Sequence, residues 1–304
     1  MLRDVSTFVV SLTPFTEQGA LDEGGLRAHL QRLAASGIGI YLGGSGSGEG
    51  YTLSHEDRGR VLEIGREVVP RDVPLRAMGV EPRSAREMIA YAEQVSRSGV
   101  DALQLYSLDQ GHGNQPRPDE LEAFLCDVLD AVECPIVLSS HQAMGYALSP
   151  ALVSGLIDRY ERIIGINFTN PDLRTLVRMV DAVSGRIDVH VGGPMQAITA
   201  LALGAQGYLC SEGNLAPHLC RQVTDFHRDG DLEARDAAFA RVMRLFTETQ
   251  ALGGVAAEKA ALRELGLAGG FPRRPRLPVS AEAGKSLVAC FESLGLRDVE
   301  SLGD

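Results

Sequence analysis

Lysine is scarce in this chain. Its 304 residues include 29 lysines and arginines, of which only Lys259 and Lys285 are lysines, and both lie late in the sequence. Chemistry that needs a side-chain amine, such as an imine with a carbonyl substrate, must use one of these two. The cysteines, Cys126, Cys134, Cys210, Cys220 and Cys290, are odd in number and include no close C-x-x-C pair, so neither a disulfide framework nor a zinc site is signalled. They read as reduced and mostly buried thiols. Positive charge is also short: the net charge is −11 and the pI near 5.2, which argues against nucleic acid or an anionic membrane surface as a partner. Long apolar runs are missing. Phe8 to Val10 falls far below a signal-peptide core or a membrane span, so the expected address is cytoplasmic. Small molecules and protein subunits remain as partners.

What is present is a regular alternation. With 44% hydrophobic and 23% charged residues, the chain is long enough for one large barrel with an appendage or for two ordinary domains. A strand over Phe8–Leu12 ends in SLTPF, where Pro14 cannot continue a ladder. A helix follows, capped by Asp22, with Leu26, Leu30 and Leu33 at helical spacing and Gly37 as a left-handed stop. Strand Ile38–Leu42 runs into GGSGSGEG, and the next helix has Ser54 as its cap with Asp57 three residues on. The unit repeats at roughly the 30-residue spacing of βαβ units. The further strands are predicted at Pro74–Met78, Ala102–Leu105, Pro135–Ser139, Ile163–Asn167, Ile187–Val191 and Gly207–Leu209. Helices are predicted from Ser84, then at Asp119–Ala131, Ser149–Asp158, Asp172–Val183, Met195–Leu203 and Leu215–His227. Eight such pairs predict an α/β fold, a (β/α)8 TIM barrel over residues 1–230, with its ligand site at the carboxyl ends of the strands. The rival is an open doubly wound sheet, which carries its glycine fingerprint after strand one; here the glycine loop follows strand two. Beyond Asp231 the strands stop. Helical patterns over Asp231–Leu252, Val255–Leu265 and Ser280–Ser293, with an extended RRPRLPVS link, predict an all-helical C-terminal extension over residues 231–304.

Several segments together resemble the dihydrodipicolinate synthase and N-acetylneuraminate lyase family. They are SLTPF with Asp22, GSGSGE followed by YTLS, SAREMIAYAEQVSRSGVDA, LALGAQGYLCSEGNLAP, and EKAALRELGL with RPRLP. The match covers nearly the whole chain; each segment alone is weak, and their order and spacing carry it. The resemblance implies a barrel of the class I aldolase type, usually a homo-oligomer, dimer or tetramer, in which a lysine forms a Schiff base with pyruvate or another 2-oxo acid. That lysine sits in a GIKE-type motif ending strand six. The matching segment here is GINF, which puts Asn167 at the lysine position. The tyrosine of the strand-five motif is matched by Ser139. The paired tyrosines after strand four are matched by LDQGHGNQPRP, which contains none, and the carboxylate-gripping arginine has no counterpart in HQAMGYALS. The expected divergence is a chain without the Schiff-base lysine and without an obvious replacement.

The residues suggest what could act instead. Ser139 and His141 are two apart at a strand end and can face the same side, beside Asn167 on the adjoining strand. A hydroxyl, an imidazole and an amide together could support enolisation or elimination, with His141 as base and Asn167 as donor to an oxyanion; alternatively they form a polar barrel mouth without chemistry. The loop Ser45, Gly46, Ser47, Gly48 offers successive backbone N–H groups suited to a carboxylate, or is a tight turn needing glycine, with Glu49 tying it down. Asp109 and His112 match no compact metal-ligand spacing and read as a solvated loop; His190 reads as a core histidine. Tyr106 and Tyr146 are candidate phenols at positions the family does not use. No cofactor or metal is signalled. Three functions stay open: a lyase- or isomerase-type enzyme acting on a small carboxylate or carbonyl compound, of 2-oxo-acid kind, without a Schiff base; a non-catalytic pseudoenzyme; and a Schiff-base aldolase using an unexpected lysine.

Overall fold

A computed structural model describes residues 5–142, 146–183 and 185–303. Strands β1 (Ser6–Val10), β2 (Gly39–Leu42), β3 (Leu75–Met78), β4 (Ala102–Leu105), β5 (Ile136–His141), β6 (Ile163–Thr169), β7 (Asp188–Gly192) and β8 (Gly207–Cys210) are neighbours in chain order and close into a barrel. The registered pairs are parallel. Between and after them run α1 (Glu23–Ala35), α2 (His55–Val68), α3 (Ala85–Ser98), α4 (Pro118–Ala131), α5 (Pro150–Arg159), α6 (Leu173–Val183), α7 (Ala197–Ala202) and α8 (Pro217–Asp229). Four more helices follow: α9 (Leu232–Ala251), α10 (Val255–Glu264), α11 (Ala281–Ser293) and α12 (Leu296–Val299). The fold is the (β/α)8 barrel, with C-terminal helices.

Local signals act as their chemistry dictates. The Asp22 carboxylate accepts the N–H of Gly25 at 2.9 Å. Ser54 and Asp57 form a reciprocal capping box on α2. Gly37 and Gly99 sit at positive φ, as left-handed helix stops require. Strands β5 and β6 run two residues further than predicted, because the ladder continues through the pairs Ser140↔Phe168 and His141↔Thr169. Helix α12, four residues after Gly295, was not expected.

The chain forms two compact units, Arg76–Tyr208 and Val5–Leu75 with Leu209 onward. In the first, alternate strand residues point to opposite faces. Leu103, Leu105, Ile136, Leu138, Ile166, Phe168, Val189 and Val191 are buried on one face, where α3 to α6 supply Met88, Val95, Phe124, Leu125, Leu156 and Met179. Each such side chain contributes about 1.5–3 kcal/mol by leaving water. Register places Gln104 with Val137, Ser139 with Asn167, and Asn167 with His190 on the other face. That inner face is polar.

In the second unit Asn214, just after β8, is the joint. Its Oδ1 accepts the Leu12 N–H and the His29 Nε2–H, each at 3.0 Å, and its Nδ2 donates to the carbonyls of Val10 and Ser211. This fixes the end of β1 to the turn that follows β8. Burial and nearby Arg32 pull the His29 imidazole down to about 3, so it stays neutral. Among the described residues no helix is long and apolar enough to cross a membrane.

Candidate functional site

Asn167 lies at the carboxyl half of β6 and is 4% exposed. Its Nδ2 donates to Gln104 Oε1 on β4. Strands two apart in a sheet are about 10 Å apart, so side chains meet this way only on the concave inner side of a barrel. Asn167 Oδ1 is buried and has no hydrogen-bond partner. The bond survives reversal of both amides, so the pair can present either an acceptor or a donor to whatever occupies the space beside it.

Ser139 is the register partner of Asn167 and is equally buried. The chain folds back after β5 through an isolated bridge, in which the His141 N–H donates to the Tyr146 carbonyl at 3.1 Å. That return brings the Tyr146 phenol to 3.3 Å from Ser139 Oγ and 3.5 Å from Glu81 Oε1. Tyr146 donates to the carboxylate, so the Ser139 hydroxyl donates to Tyr146, and a hydrogen-bonded line runs Ser139 to Tyr146 to Glu81. Burial first, and then the Glu81 charge, push the phenol far above its ordinary value, which keeps it protonated and a donor.

His141 pairs with Thr169, one step beyond the Ser139–Asn167 pair. It is half-buried, and desolvation lowers its pKa, leaving a neutral imidazole near pH 7. Its Nδ1 is buried without a partner. Ser107, just after β4, likewise has a fully buried hydroxyl with no partner. Three unused polar atoms, on His141, Asn167 and Ser107, thus lie at the carboxyl ends of β4, β5 and β6, where barrel enzymes place their chemistry. His190, on β7, is 1% exposed; burial, with Arg76 nearby, pulls it down to about 3. A cleft of about 740 Å3 is lined by Gln115, Pro116, Leu121, Tyr146, Ala147 and Leu152.

The sequence brought Ser139, His141 and Asn167 to one end of two adjoining strands, and the register agrees. Gln104 and Glu81 had no role in the sequence reading, and Tyr146 stood, with Tyr106, as a candidate phenol outside the family's tyrosine positions. A glutamine interrupting the apolar run of β4 is the one local sign for Gln104; nothing local marks the return of Tyr146. Asp109 serves its own loop, accepting the Gly111 N–H at 2.8 Å with Arg83 at 4.0 Å. Residues 143–145 of HQAMGYALS lie outside the described residues. Among those described, no group of three or more His, Cys, Asp or Glu gathers to hold a metal ion.

The glycine-rich loop belongs to the other unit. Ser45 is half-buried, Gly46 exposed, and Ser47 and Gly48 buried. A Cβ on Gly48 would lie 2.8 Å from Gly44 N, and one on Gly50 would lie 2.1 Å from Gly43 O, so backbone crossing backbone demands glycine at both. Gly46 faces open space. The N–H groups of Glu49 and Gly50 are spent inside the loop, on the carbonyls of Gly46 and Gly44. Glu49 is fully buried at φ 51 and forms an ion pair with Lys259. The Lys259 ammonium also donates to the carbonyls of Thr13 (2.8 Å) and Phe271 (2.9 Å), which uses all three of its protons. Burial brings it down to about 8 against the opposing pull of Glu49. Lys285 is exposed on α11. No strand of the barrel carries a lysine.

A model of the dihydrodipicolinate synthetase family matches residues 2–294. The chain belongs to that family. It is 29% identical over 293 residues to the 4-hydroxy-tetrahydrodipicolinate synthase of Methanopyrus kandleri, covering 94% of each chain. It is 30% identical over 288 residues to the enzyme of that name from Methanothrix thermoacetophila, covering 93% of each. The crystal structure of YagE, an Escherichia coli K12 prophage protein of the dihydrodipicolinic acid synthase family in complex with pyruvate, superposes with a TM-score of 0.86 at 26% identity, over 96% of this chain and 99% of that one. As a member of the dihydrodipicolinate synthetase family, the chain is a lyase- or aldolase-type protein.

Proposed function

We propose that this chain is a lyase- or isomerase-type enzyme that activates a small carboxylate- or carbonyl-bearing compound, of the 2-oxo-acid kind, by acid–base chemistry without a lysine imine. The observation that carries this reading is the Ser139–Tyr146–Glu81 line, lying beside Asn167 on an inner face whose strands contain no lysine. The pyruvate held by the YagE relative supports the substrate class. The ammonium of Lys259, spent on three acceptors, is poorly placed to attack a carbonyl.

The roles follow from the protonation states. His141, neutral and only half-buried, accepts a proton from the carbon next to the substrate carbonyl. Charge then develops on the carbonyl oxygen, where the Asn167 amide can donate and the Tyr146 phenol, still accepting from Ser139, can turn its proton over from the long 3.5 Å contact with Glu81. Glu81 fixes the orientation of the phenol. The proton on His141 is finally delivered to the neighbouring carbon or to the leaving group, which restores the imidazole.

Two experiments test this. Borohydride treatment with pyruvate is expected to leave the mass of the chain unchanged; a reduced adduct on Lys259 or Lys285 would refute the imine-free route. Small 2-oxo acids that raise the melting temperature are then followed by NMR in D2O for exchange of the protons next to the carbonyl. Exchange is expected in the parent and lost in His141→Ala with the fold intact. Binding without exchange in the parent would make the chain a non-catalytic binder instead.

A further inference from the structure

The first unit holds a second pocket, just past the ends of β5 and β6. Its volume is about 370 Å3; Gln142, Ser149 and Pro150 line it from one segment, and Asn170, Asp172, Thr175 and Arg178 from another. Gln142 follows His141, the last residue of β5, and Asn170 follows Thr169, the last residue of β6; His141 and Thr169 are register partners. The pocket therefore sits where α5 and α6, which pack together, leave the barrel. None of the side chains given a role at Asn167 lines it.

What this pocket offers is donors. Asn170 is 6% exposed, and its Oδ1 accepts the Asp172 N–H at 2.9 Å, a turn that leads into α6. That bond fixes which way round the amide sits. Its Nδ2 group is what remains, and no described residue accepts from it. A side-chain amide so deeply buried is nearly always paired, so an acceptor is missing here. Arg178 is exposed and, among the described residues, forms no ion pair or hydrogen bond. Asp172 is the one carboxylate in the lining, and its oxygens are filled: Oδ1 takes the Arg174 N–H and Nε at 3.3 and 3.1 Å, and Oδ2 takes the Thr175 hydroxyl at 2.8 Å. Arg174 balances that charge, which leaves Arg178 as one net positive charge. The first turn of α5, at Ser149 and Pro150, adds the positive end of a helix dipole.

We propose that this pocket is a second binding site, for a small oxyanion that accepts from Asn170 Nδ2 and pairs with the Arg178 guanidinium. The class follows from what is unmatched. A cation would meet a filled carboxylate and an uncompensated arginine, and an apolar molecule would leave the Asn170 donors stranded. A carboxylate or a phosphate group brings acceptors and negative charge together, and a guanidinium fork suits both. The volume admits such a group with a small body attached to it. The site stands independently of any reaction beside Asn167.

The probes are acetate and inorganic phosphate, each titrated at constant ionic strength into the full isotope-labelled chain. The Asn170 side-chain amide signal is identified by its loss in Asn170→Ser and followed by NMR. A shift that saturates in the millimolar range is expected, and Arg178→Gln, a change at an exposed position, is expected to weaken binding about tenfold or more with the backbone spectrum otherwise unchanged. Saturation with acetate alone assigns a carboxylate, saturation with phosphate alone a phosphate group, and saturation with both the oxyanion chemistry they share. No saturable shift with either probe by about 50 mM would overturn the proposal, a result that stands whether or not Arg178→Gln folds. So would binding equally tight in Arg178→Gln. A response kept in Arg178→Gln and lost in His141→Ala would also overturn it, by placing the anion beside Asn167 instead.

Discussion

Replacing Lys259 by methionine isolates what holds the glycine-rich loop. Methionine keeps most of the buried aliphatic volume and removes the ammonium. The change strips the Thr13 and Phe271 carbonyls of their donor and leaves the Glu49 carboxylate fully buried without its ion-pair partner. Glu49 keeps the Arg273 N–H at 3.1 Å, and the Arg276 guanidinium stands 3.6 Å away, close enough to offset part of the loss. Breaking one side of a buried pair costs about 3–5 kcal/mol, and each orphaned carbonyl adds up to about 1–3 kcal/mol. Allowing for Arg276, a net loss of about 4 kcal/mol is expected. At about 2–3 °C per kcal/mol for a chain of this size, the thermal midpoint should fall by roughly 10 °C. Circular dichroism melts and urea titrations at neutral pH measure the loss, and amide exchange over 43–50 shows whether the loop carries it. Adding Glu49→Gln should recover part of it, since a neutral amide replaces a stranded charge. If Lys259→Met unfolds within about 1 kcal/mol of the parent, the pair is not what fixes the loop, and the reasoning fails.

Other substitutions probe the same physics elsewhere. Gly50→Ala should destabilise by about 1–3 kcal/mol in a urea titration because its methyl meets the Gly43 carbonyl, whereas Gly46→Ala, facing open space, should be within about 0.5 kcal/mol of the parent. Gln104→Leu should cost about 1–3 kcal/mol by stranding Asn167 Nδ2, and the double change with Asn167→Leu should recover much of it. His29 and His190 are both held down to about 3, so between about pH 6.5 and that value the unfolded chain binds protons the folded chain refuses; stability should fall with falling pH by about 1.4 kcal/mol per unit for each, and His190→Asn should flatten its share of the slope. Tyr146→Phe should keep the fold, at a cost of about 1 kcal/mol, and reduce proton exchange of a 2-oxo acid by about 100-fold or more, measured by NMR in D2O.

The barrel was legible because its evidence is local and repeated. Asp22, Ser54 with Asp57, and Gly37 each act within a few residues, and each is where the sequence put it. Asn167 and Ser139 were legible as strand-end polar residues following apolar runs, and their pairing needed only neighbouring strands. Tyr146 was not. Its distance from Ser139 depends on a fold-back whose bridge joins His141 to Tyr146, and no periodicity encodes that. Glu81 and Gln104 were missed for a related reason, since their partners lie 65 and 63 residues away and a loop acid or a strand glutamine looks the same with or without one.

The Lys259–Glu49 pair joins positions 210 residues apart. During synthesis at about 5–20 residues per second, the loop after β2 therefore waits roughly 10–40 s for its tether, longer than most of the barrel takes to emerge. Val10 and Leu12 wait almost as long for Asn214, 204 and 202 residues downstream. The first two strands must leave the ribosome without the partners that fix them, which makes this amino-terminal segment the one most in need of a chaperone's cover. The ends of the chain thus act as a clasp, set last and released first only at the cost of the whole unit.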